Sequence, residues 1–516
     1  MSNLQLFQSH RGARVPRAHA TNEAGGAAYQ RSPEGALALY ATTGCLNGTF
    51  YADAQTQLDT LVAMCDAVSP EFVAKVALYA RNDAHMKDVP SLLLAYLACR
   101  DGALLEQVFD RVIDNGRMLR NFVQIVRSGV LGRKSLGSRP KRLVARWLAN
   151  ASTAALLSAA IGEQPSLSDV IRMVHPQPKD AEREALYAWL IGKPCAAEKL
   201  PALVREYEAF KANPVGDVPD LPFQYLTAMP LSAEHWKAVA SRSSWQATRM
   251  NLNTFLRKGV FEDVQVVKRI AVRLREEAAI KRSRVFPYQL MVAYRSAAAS
   301  MPESILDALQ DAMEVATASV PKLDGEVALA IDVSGSMASP VTGHRLSATT
   351  KVTCVEVAAL MVACIKRGNP KARVIPFAET VRELKLNARD SVLTQAQQIA
   401  RMVGGGTSVS APLSQLNREG AAPDLVVIVS DNQSWADTRG GGGTETMRQW
   451  AALKARHPKA RLVCIDLQPY ATSQAQESPG ITHIGGFSDA VFELLADVAK
   501  GNQERRWVDR IEAMNL

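Results

Sequence analysis

Cysteine, aromatic residues and long apolar runs are all scarce in this chain, and each shortage removes a class of protein. Seven cysteines are scattered over 516 residues, at positions 45, 65, 99, 195, 354, 364 and 464. None forms a C-x-x-C pair, which argues against zinc, and an odd, dispersed set does not build a disulfide framework. Reduced, mostly buried thiols are expected instead. No apolar stretch reaches the roughly 20 residues a bilayer core requires, so no membrane span is expected. Residues 1–30 lack the apolar core of a secretory signal, which makes the cytoplasm the default location. Aromatics are 6% of the chain, too few for base stacking to dominate a nucleic-acid contact. A phosphate-binding G-x-x-x-x-G-K-[ST] loop is absent. Ser334-Gly335-Ser336 is not a G-x-S-x-G elbow, and nothing in the sequence fixes His344 or His483 next to a serine. No catalytic residue is assigned.

What the chain does have is positive charge in one place. The net charge is +9. Residues 1–320 hold 38 Lys/Arg against 31 Asp/Glu, and residues 321–516 hold 22 against 20. Between Asp114 and Glu163 there is no acidic residue, yet Arg117, Arg120, Arg127, Arg133, Lys134, Arg139, Lys141, Arg142 and Arg146 fall in that window. A one-signed cluster attracts polyanions, and nucleic acid is the favoured partner. A second basic stretch, Arg242–Arg284, contains Arg249, Arg257, Lys258, Lys268 and Arg273. Glu262, Asp263, Glu276 and Glu277 interrupt it, so helical i, i+4 pairing explains it equally well.

From about residue 30 to 318 apolar residues recur at helical spacing, in segments such as Pro70–Ala80, Met118–Val130 and Leu167–Val174. Ser69-Pro70-Glu71 and Ser166-Leu167-Ser168-Asp169 carry helix-start chemistry, a hydroxyl before the first turn and an acid inside it. Helices of 10–15 residues with brief connections predict antiparallel pairs stacked in series, an all-α solenoid. After Lys322-Leu323-Asp324-Gly325 the pattern changes. Strands over Glu326–Val333, Ala372–Ala378, Asp424–Val429 and Ala460–Asp466 alternate with helices over Thr349–Arg367, Ser391–Met402, Thr444–Ala455 and Asp489–Val498. That alternation predicts a parallel sheet covered on both faces, with ligands at the carboxyl ends of its strands.

Asp332 closes the first of these strands and opens the run Asp332-Val333-Ser334-Gly335-Ser336. Gly404-Gly405-Gly406-Thr407 is a flexible loop delivering a hydroxyl, and the strand ending at Val429-Ser430 delivers Asp431. Carboxylates and hydroxyls are hard donors suited to Mg²⁺, which keeps open positions for water or a partner's acidic group. The D-x-S-x-S run, the Gly-Gly-Gly-Thr loop and the strand-end Asp together resemble the metal-ion-dependent adhesion site of von Willebrand A domains. That resemblance implies Asp332, Ser334, Ser336, Thr407 and Asp431 as ligands of Mg²⁺ or another divalent cation.

Several spaced motifs in the helical part resemble the TROVE-domain family of Ro proteins. They are His85-Met86-Lys87-Asp88-Val89-Pro90-Ser91-Leu92, Gly132-Arg133-Lys134-Ser135-Leu136-Gly137, Ser166–His175, the run Asn251–Phe261 and Arg284–Leu290. The resemblance runs from about residue 20 to the C-terminus. It implies an N-terminal segment over 1–25, a HEAT-like helical RNA-binding domain over 26–320 closed into a ring, and a Rossmann-like A domain over 321–516. It further implies a non-catalytic monomer that takes single-stranded RNA 3′ ends in a central basic hole and small noncoding Y-like RNAs on its outer surface. The associated roles are RNA quality control, ribosomal RNA processing or degradation and stress response, alongside an exoribonuclease such as polynucleotide phosphorylase. Candidate RNA contacts are His85, Lys87, Arg120, Arg127, Arg133, Lys134, Arg139, Lys141, Arg142, Arg146, His175, Arg257 and Lys258. Where animal members carry a basic pair, this chain has Leu167-Ser168, which shifts the expected outer contact toward Arg133–Arg146. The competing reading is a Mg²⁺-dependent interaction scaffold whose A domain captures an acidic partner.

Overall fold

A computed structural model describes residues 15–43, 46–47, 49, 51, 53–163, 165–283, 285, 287–317, 320–343, 352–387, 389–436, 443–501 and 507–516. His344, the start of the helix expected from Thr349, Arg284, Phe286 and Gly440–Gly442 lie outside them. The chain forms two compact units, one of residues 69–316 with 515–516, the other of residues 1–68 with 317–514.

The first unit is helical throughout, and its local grammar follows the sequence closely. Ser69 accepts a hydrogen bond from the Phe72 amide at the start of the helix Pro70–Asn82, with proline in its first turn. Ser166 and Asp169 form a reciprocal capping box on Leu167–Val174. In Gly116–Ser128 the stripe Met118, Leu119, Phe122, Val123 and Val126 is buried while Gln124 and Arg127 are exposed. The helix ends at Gly129, whose φ of 89° suits a residue without a Cβ. Successive helices pack in series: Pro70–Asn82 on Asp88–Arg100 and Gly102–Val112, and Asp88–Arg100 on Gly116–Ser128. Phe109 and Phe122 meet edge to face at 5.3 Å.

Arginines tie these helices together at their carboxyl ends, where the last carbonyls lack intrahelical partners. Arg133 donates to Ala98 O in the last turn of Asp88–Arg100. Arg183 does the same for Leu148 and Ala151 at the end of Ser138–Asn150, and Arg273 for Ala240 and Ser241 at the end of Ala233–Arg242. Arg120 reaches Ile161 O at 2.6 Å and Pro165 O at 3.3 Å, just past the helix Thr153–Ala159.

The second unit holds strands β1 (Ala20–Thr21), β2 (Ala27–Gln30), β3 (Val327–Asp332), β4 (Arg373–Phe377), β5 (Leu425–Ser430), β6 (Arg461–Asp466), β7 (Thr472–Ser473) and β8 (Ile481–Gly485). Five of them form a parallel sheet in the order β4-β3-β5-β6-β8. Strands β3 and β5 are buried at every residue, as the continuous Val, Ile, Leu and Ala runs of a doubly covered sheet require. The helices Cys354–Gly368 and Asp489–Ala499 pack against the sheet. Strands β1, β2, β7 and β8 and the helices Ala411–Arg418 and Trp507–Glu512 escaped sequence reading.

The units divide at residues 69 and 317 rather than at 26 and 321. Strand β2 pairs antiparallel with β7 through Tyr29↔Ser473, and the helix Pro33–Thr43 packs on β8. A pairing between segments more than four hundred residues apart leaves no local periodic signal. Among the described cysteines, Cys65, Cys354, Cys364 and Cys464 are buried, and Cys99 and Cys195 are half-buried.

Candidate functional site

Strands β3 and β5 are neighbours at the middle of the sheet, with Ile331 opposite Val429, so their carboxyl ends emerge together. Asp332 Oδ1 accepts from the Ser334 amide at 2.8 Å and Oδ2 from Ser430 Oγ at 2.6 Å. Ser334 Oγ lies 3.3 Å from Ser336 Oγ, and Ser336 in turn hydrogen-bonds Asp431. The loop carrying Thr407 is stitched to the same turn. Gly404 N donates to Val333 O at 2.8 Å, and Gly335 N donates to Gly405 O at 2.9 Å. Gly405 has a φ of 84°, and a Cβ on Gly406 would meet the Trp435 ring at 2.5 Å, so this approach needs glycine at both positions. The structure therefore brings together the segments that carry Asp332, Ser334, Ser336, Thr407 and Asp431, and buries all five side chains.

Electrostatics mark these two acids as incomplete. Burial raises the Asp332 carboxyl above the ordinary carboxylate range. Asp431 is pushed up to about 7, first by burial and then by the charge of Asp332. A control lies at the end of the adjacent strand, where Asp466 is opposite Ser430. Burial pushes Asp466 up as well, yet Arg31 at 2.9 Å, with His483 behind it, outweighs that and holds its carboxyl below the ordinary range. Among the described residues no cation pairs with Asp332 or Asp431. Two adjacent buried carboxylates without a counter-charge are costly, a cost that either protonation of one acid or a bound cation relieves. Among the described residues no three His, Cys, Asp or Glu side chains converge. Two carboxylates and three hydroxyls form a hard-oxygen set, which fits Mg²⁺, Mn²⁺ or Ca²⁺ rather than Zn²⁺.

Two further groups border the site. Ser430 sets the orientation of Asp332, and a lone hydroxyl ending an apolar strand was the available signal. Tyr51 hydrogen-bonds Ser336 through its phenol, which burial and then Asp431 push up to about 12. Its distance along the chain gave no signal at all. His483, left without a serine partner by the sequence, lies with Nε2 3.4 Å from Ser473 Oγ and Nδ1 3.6 Å from Asp466. The Ala475 carbonyl at 2.9 Å is the nearer partner of Nε2 and fixes the proton there, leaving no lone pair to activate Ser473.

The basic candidates separate into three groups. Arg120 and Arg133 donate to backbone carbonyls, so their charge serves the packing of helices. Arg139 and Arg142 both reach Glu106, at 3.7 and 3.3 Å, while Arg146 pairs with Asp110 at 2.7 Å. These acids come from the helix Gly102–Val112, just upstream of the acid-free window. Lys87, Arg127, Lys134 and Lys141 are exposed. His85 and His175 both adopt left-handed backbone, with φ of 56° and 49°, and His175 caps the helix Leu167–Val174. Lys258 stands 5.5 Å from the Trp236 ring, and Arg257 donates to Thr254 Oγ1. In the second basic stretch, Arg249 donates to Gln289 O and Arg273 to Ala240 O, both structural roles.

Residues 326–499 match the family described as the Ro60 vWA domain. Over 515 aligned residues the chain is 26% identical to the RNA-binding protein RO60 of Deinococcus radiodurans, covering 93% of this chain and 95% of that protein. It is 25% identical over 250 residues to the RNA-binding protein RO60 of Caenorhabditis elegans, covering 46% of this chain and 38% of that one. The crystal structure of the D. radiodurans RO (RSR) protein superposes with a TM-score of 0.62 at 21% identity, over 91% of this chain and 100% of the other. A likeness at that identity establishes the fold, and the alignments extend it to sequence. The chain is similar to the Ro proteins along nearly its whole length, and residues 326–499 match the Ro60 von Willebrand A domain.

Proposed function

We propose that the chain is an RNA-binding protein of Ro type, without catalysis of its own, whose A domain carries a Mg²⁺-type ion. The RNA reading is supported best by the start of the helix Ser138–Asn150. Gly137 offers no side-chain cap there, and the first turn holds Arg139 and Lys141 with no acid. Cations at the positive end of a helix dipole are unfavourable, and uncapped amides need acceptors. A phosphate supplies both the acceptor and the counter-charge. Lys134 and Lys141, exposed on either side of this terminus, are the proposed phosphate contacts, with Arg127 and Lys87 as further ones. The finer reading follows the Ro resemblance: single-stranded 3′ ends in a basic hole, Y-like RNA outside, and service in RNA quality control beside an exoribonuclease.

The test is a salt titration of binding to labelled single-stranded RNA. Replacing both Lys134 and Lys141 by Ala is expected to lower the slope of log K against log[salt] by about 1.4, at about 0.7 per phosphate contact on a single strand. An unchanged slope overturns the assignment of this surface. Intact RNA after incubation with the Mg²⁺-loaded protein is the expected outcome, and cleavage would replace the non-enzymatic reading. For the metal, the five oxygen ligands of the A domain are expected to bind Mn²⁺ and Mg²⁺ competitively.

A further inference from the structure

The metal site has a neighbour that neither RNA binding nor metal ligation requires. Tyr51 lies in the connection between the helices Pro33–Thr43 and Ala54–Asp66. Its ring packs edge-on against the buried Tyr470, with centroids 5.8 Å apart. The phenol is hydrogen-bonded to Ser336 and close enough to Asp431 and Asp332 to feel both charges. Two hydrogen bonds hold described residues of this stretch. Asn47 Nδ2 donates to Thr342 O at 2.9 Å, beyond the D-x-S-x-S turn, and Gln57 Nε2 donates to Thr49 Oγ1 at 3.2 Å.

A second part of the N-terminal segment grips the other loops of the site. Asn22, in the turn after β1, donates from Nδ2 to Ser434 O at 2.7 Å, and Glu23 N donates to Gln433 Oε1 at 3.0 Å. Ser434 Oγ continues the chain to Thr407 O at 3.3 Å. The loops that deliver Asp431 and Thr407 are therefore tied to the same segment that delivers Tyr51. An adhesion-type site recognises a partner through the coordination position left open by the protein's own oxygens. Here a phenol from the chain's own N-terminal segment hydrogen-bonds Ser336 and lies close enough to Asp431 and Asp332 to feel both charges.

We propose that Tyr51 is a resident cover of the metal's open face, standing where a partner's carboxylate would have to enter. The inference rests on the metal reading above. Its consequence is that the loaded site serves the chain itself, joining the N-terminal segment to the A domain, and engages an external acid only when Tyr51 swings away.

The experiment loads the full-length chain with Mn²⁺ and titrates acetate, the simplest carboxylate probe, while water-proton relaxation reports the metal's free positions. Tyr51→Ala is expected to bind acetate roughly tenfold more tightly than the unaltered chain, equivalent to about 1.4 kcal/mol. Tyr51→Phe keeps the ring and loses the tether to Ser336, and is expected to fall between the two. Equal acetate affinity in all three chains, with Mn²⁺ bound in each, overturns the cover and leaves the metal reading standing. Failure of the unaltered chain to bind Mn²⁺ overturns both. Should Tyr51→Ala not fold, Tyr51→Phe decides alone, since acetate binding no tighter than in the unaltered chain has the same meaning.

Discussion

The helical unit and the α/β unit treat their charges in opposite ways. In the helical unit, arginines that make the sequence look strongly basic are satisfied internally, by carbonyls at helix ends and by Glu106 and Asp110. In the α/β unit, two of three adjacent strand-end acids have no cationic partner among the described residues while the third, Asp466, receives Arg31. A count of charged residues therefore overstates the first surface and misses the second site altogether, where the net charge is nearly balanced. The informative quantity is the buried charge whose counter-charge is absent.

The largest expected effects test that contrast at Asp332 and Asp466. Losing groups that merely orient metal ligands costs 10–100-fold in affinity, so Asp332→Ala is expected to cost more than about 100-fold in Mn²⁺ binding. Asp466→Asn should leave Mn²⁺ binding within a few fold. It should instead destabilise the fold by roughly 3 kcal/mol, because Arg31 stays buried beside a neutral group. Calorimetric titration and chemical denaturation of both variants measure the two quantities, and the reverse pattern would undo the distinction.

In the helical unit the corresponding variant is Arg120→Ala. Hydrogen bonds from a charged donor contribute about 1.5–3 kcal/mol, and the Ile161 and Pro165 carbonyls would lose theirs. A stability loss near 2 kcal/mol with unaltered RNA affinity is expected by denaturation and filter binding. A loss of RNA affinity without a loss of stability would return Arg120 to the contact surface.

The unpaired acids also predict a pH dependence for the metal-free chain. Asp431 has a native pKa of about 7, raised by burial and by Asp332, so between its ordinary range near 4 and about 7 the native state holds more protons than the unfolded one. Stability should be highest below that window and fall as pH rises through it, with a limiting slope on the order of 1.4 kcal/mol per pH unit for one proton. Saturating Mg²⁺ should flatten the dependence, because ligands must be deprotonated to bind. Thermal melts at pH 5, 6 and 7, with and without chelator, read both effects, and a metal-free chain that gained stability with pH would contradict the assignment.

The sequence made local features legible and tertiary ones illegible. Helix starts at Ser69 and Ser166 were readable because capping needs residues only three apart. Strand ends at Asp332 and Asp431 were readable because a buried strand interrupted by a carboxylate has few uses. The partners of the basic residues were not, because Arg142 meets Glu106 and Arg133 meets Ala98 across neighbouring helices. The same holds for Tyr51, whose meeting with Ser336 depends on packing across the sheet's carboxyl edge. Strand β8 escaped because Ile481-Thr482-His483-Ile484 is too short to show a period.

The smallest expected effect sharpens the comparison most. Glu106 holds both Arg139 and Arg142, with all three side chains substantially exposed. Exposed ion pairs of this kind contribute between zero and about 1 kcal/mol, so Glu106→Gln should barely alter stability. It would, however, release two guanidinium groups beside the uncapped start of Ser138–Asn150, the terminus proposed to hold phosphate. RNA affinity should then rise by roughly two- to threefold, and the salt slope should steepen by up to about 1.4 if both arginines reach phosphates. Unchanged affinity and slope would mean that these arginines face away from the nucleic acid, and that Lys134 and Lys141 carry the contact without them. Either result separates the cations that merely balance a neighbouring helix from those kept for RNA.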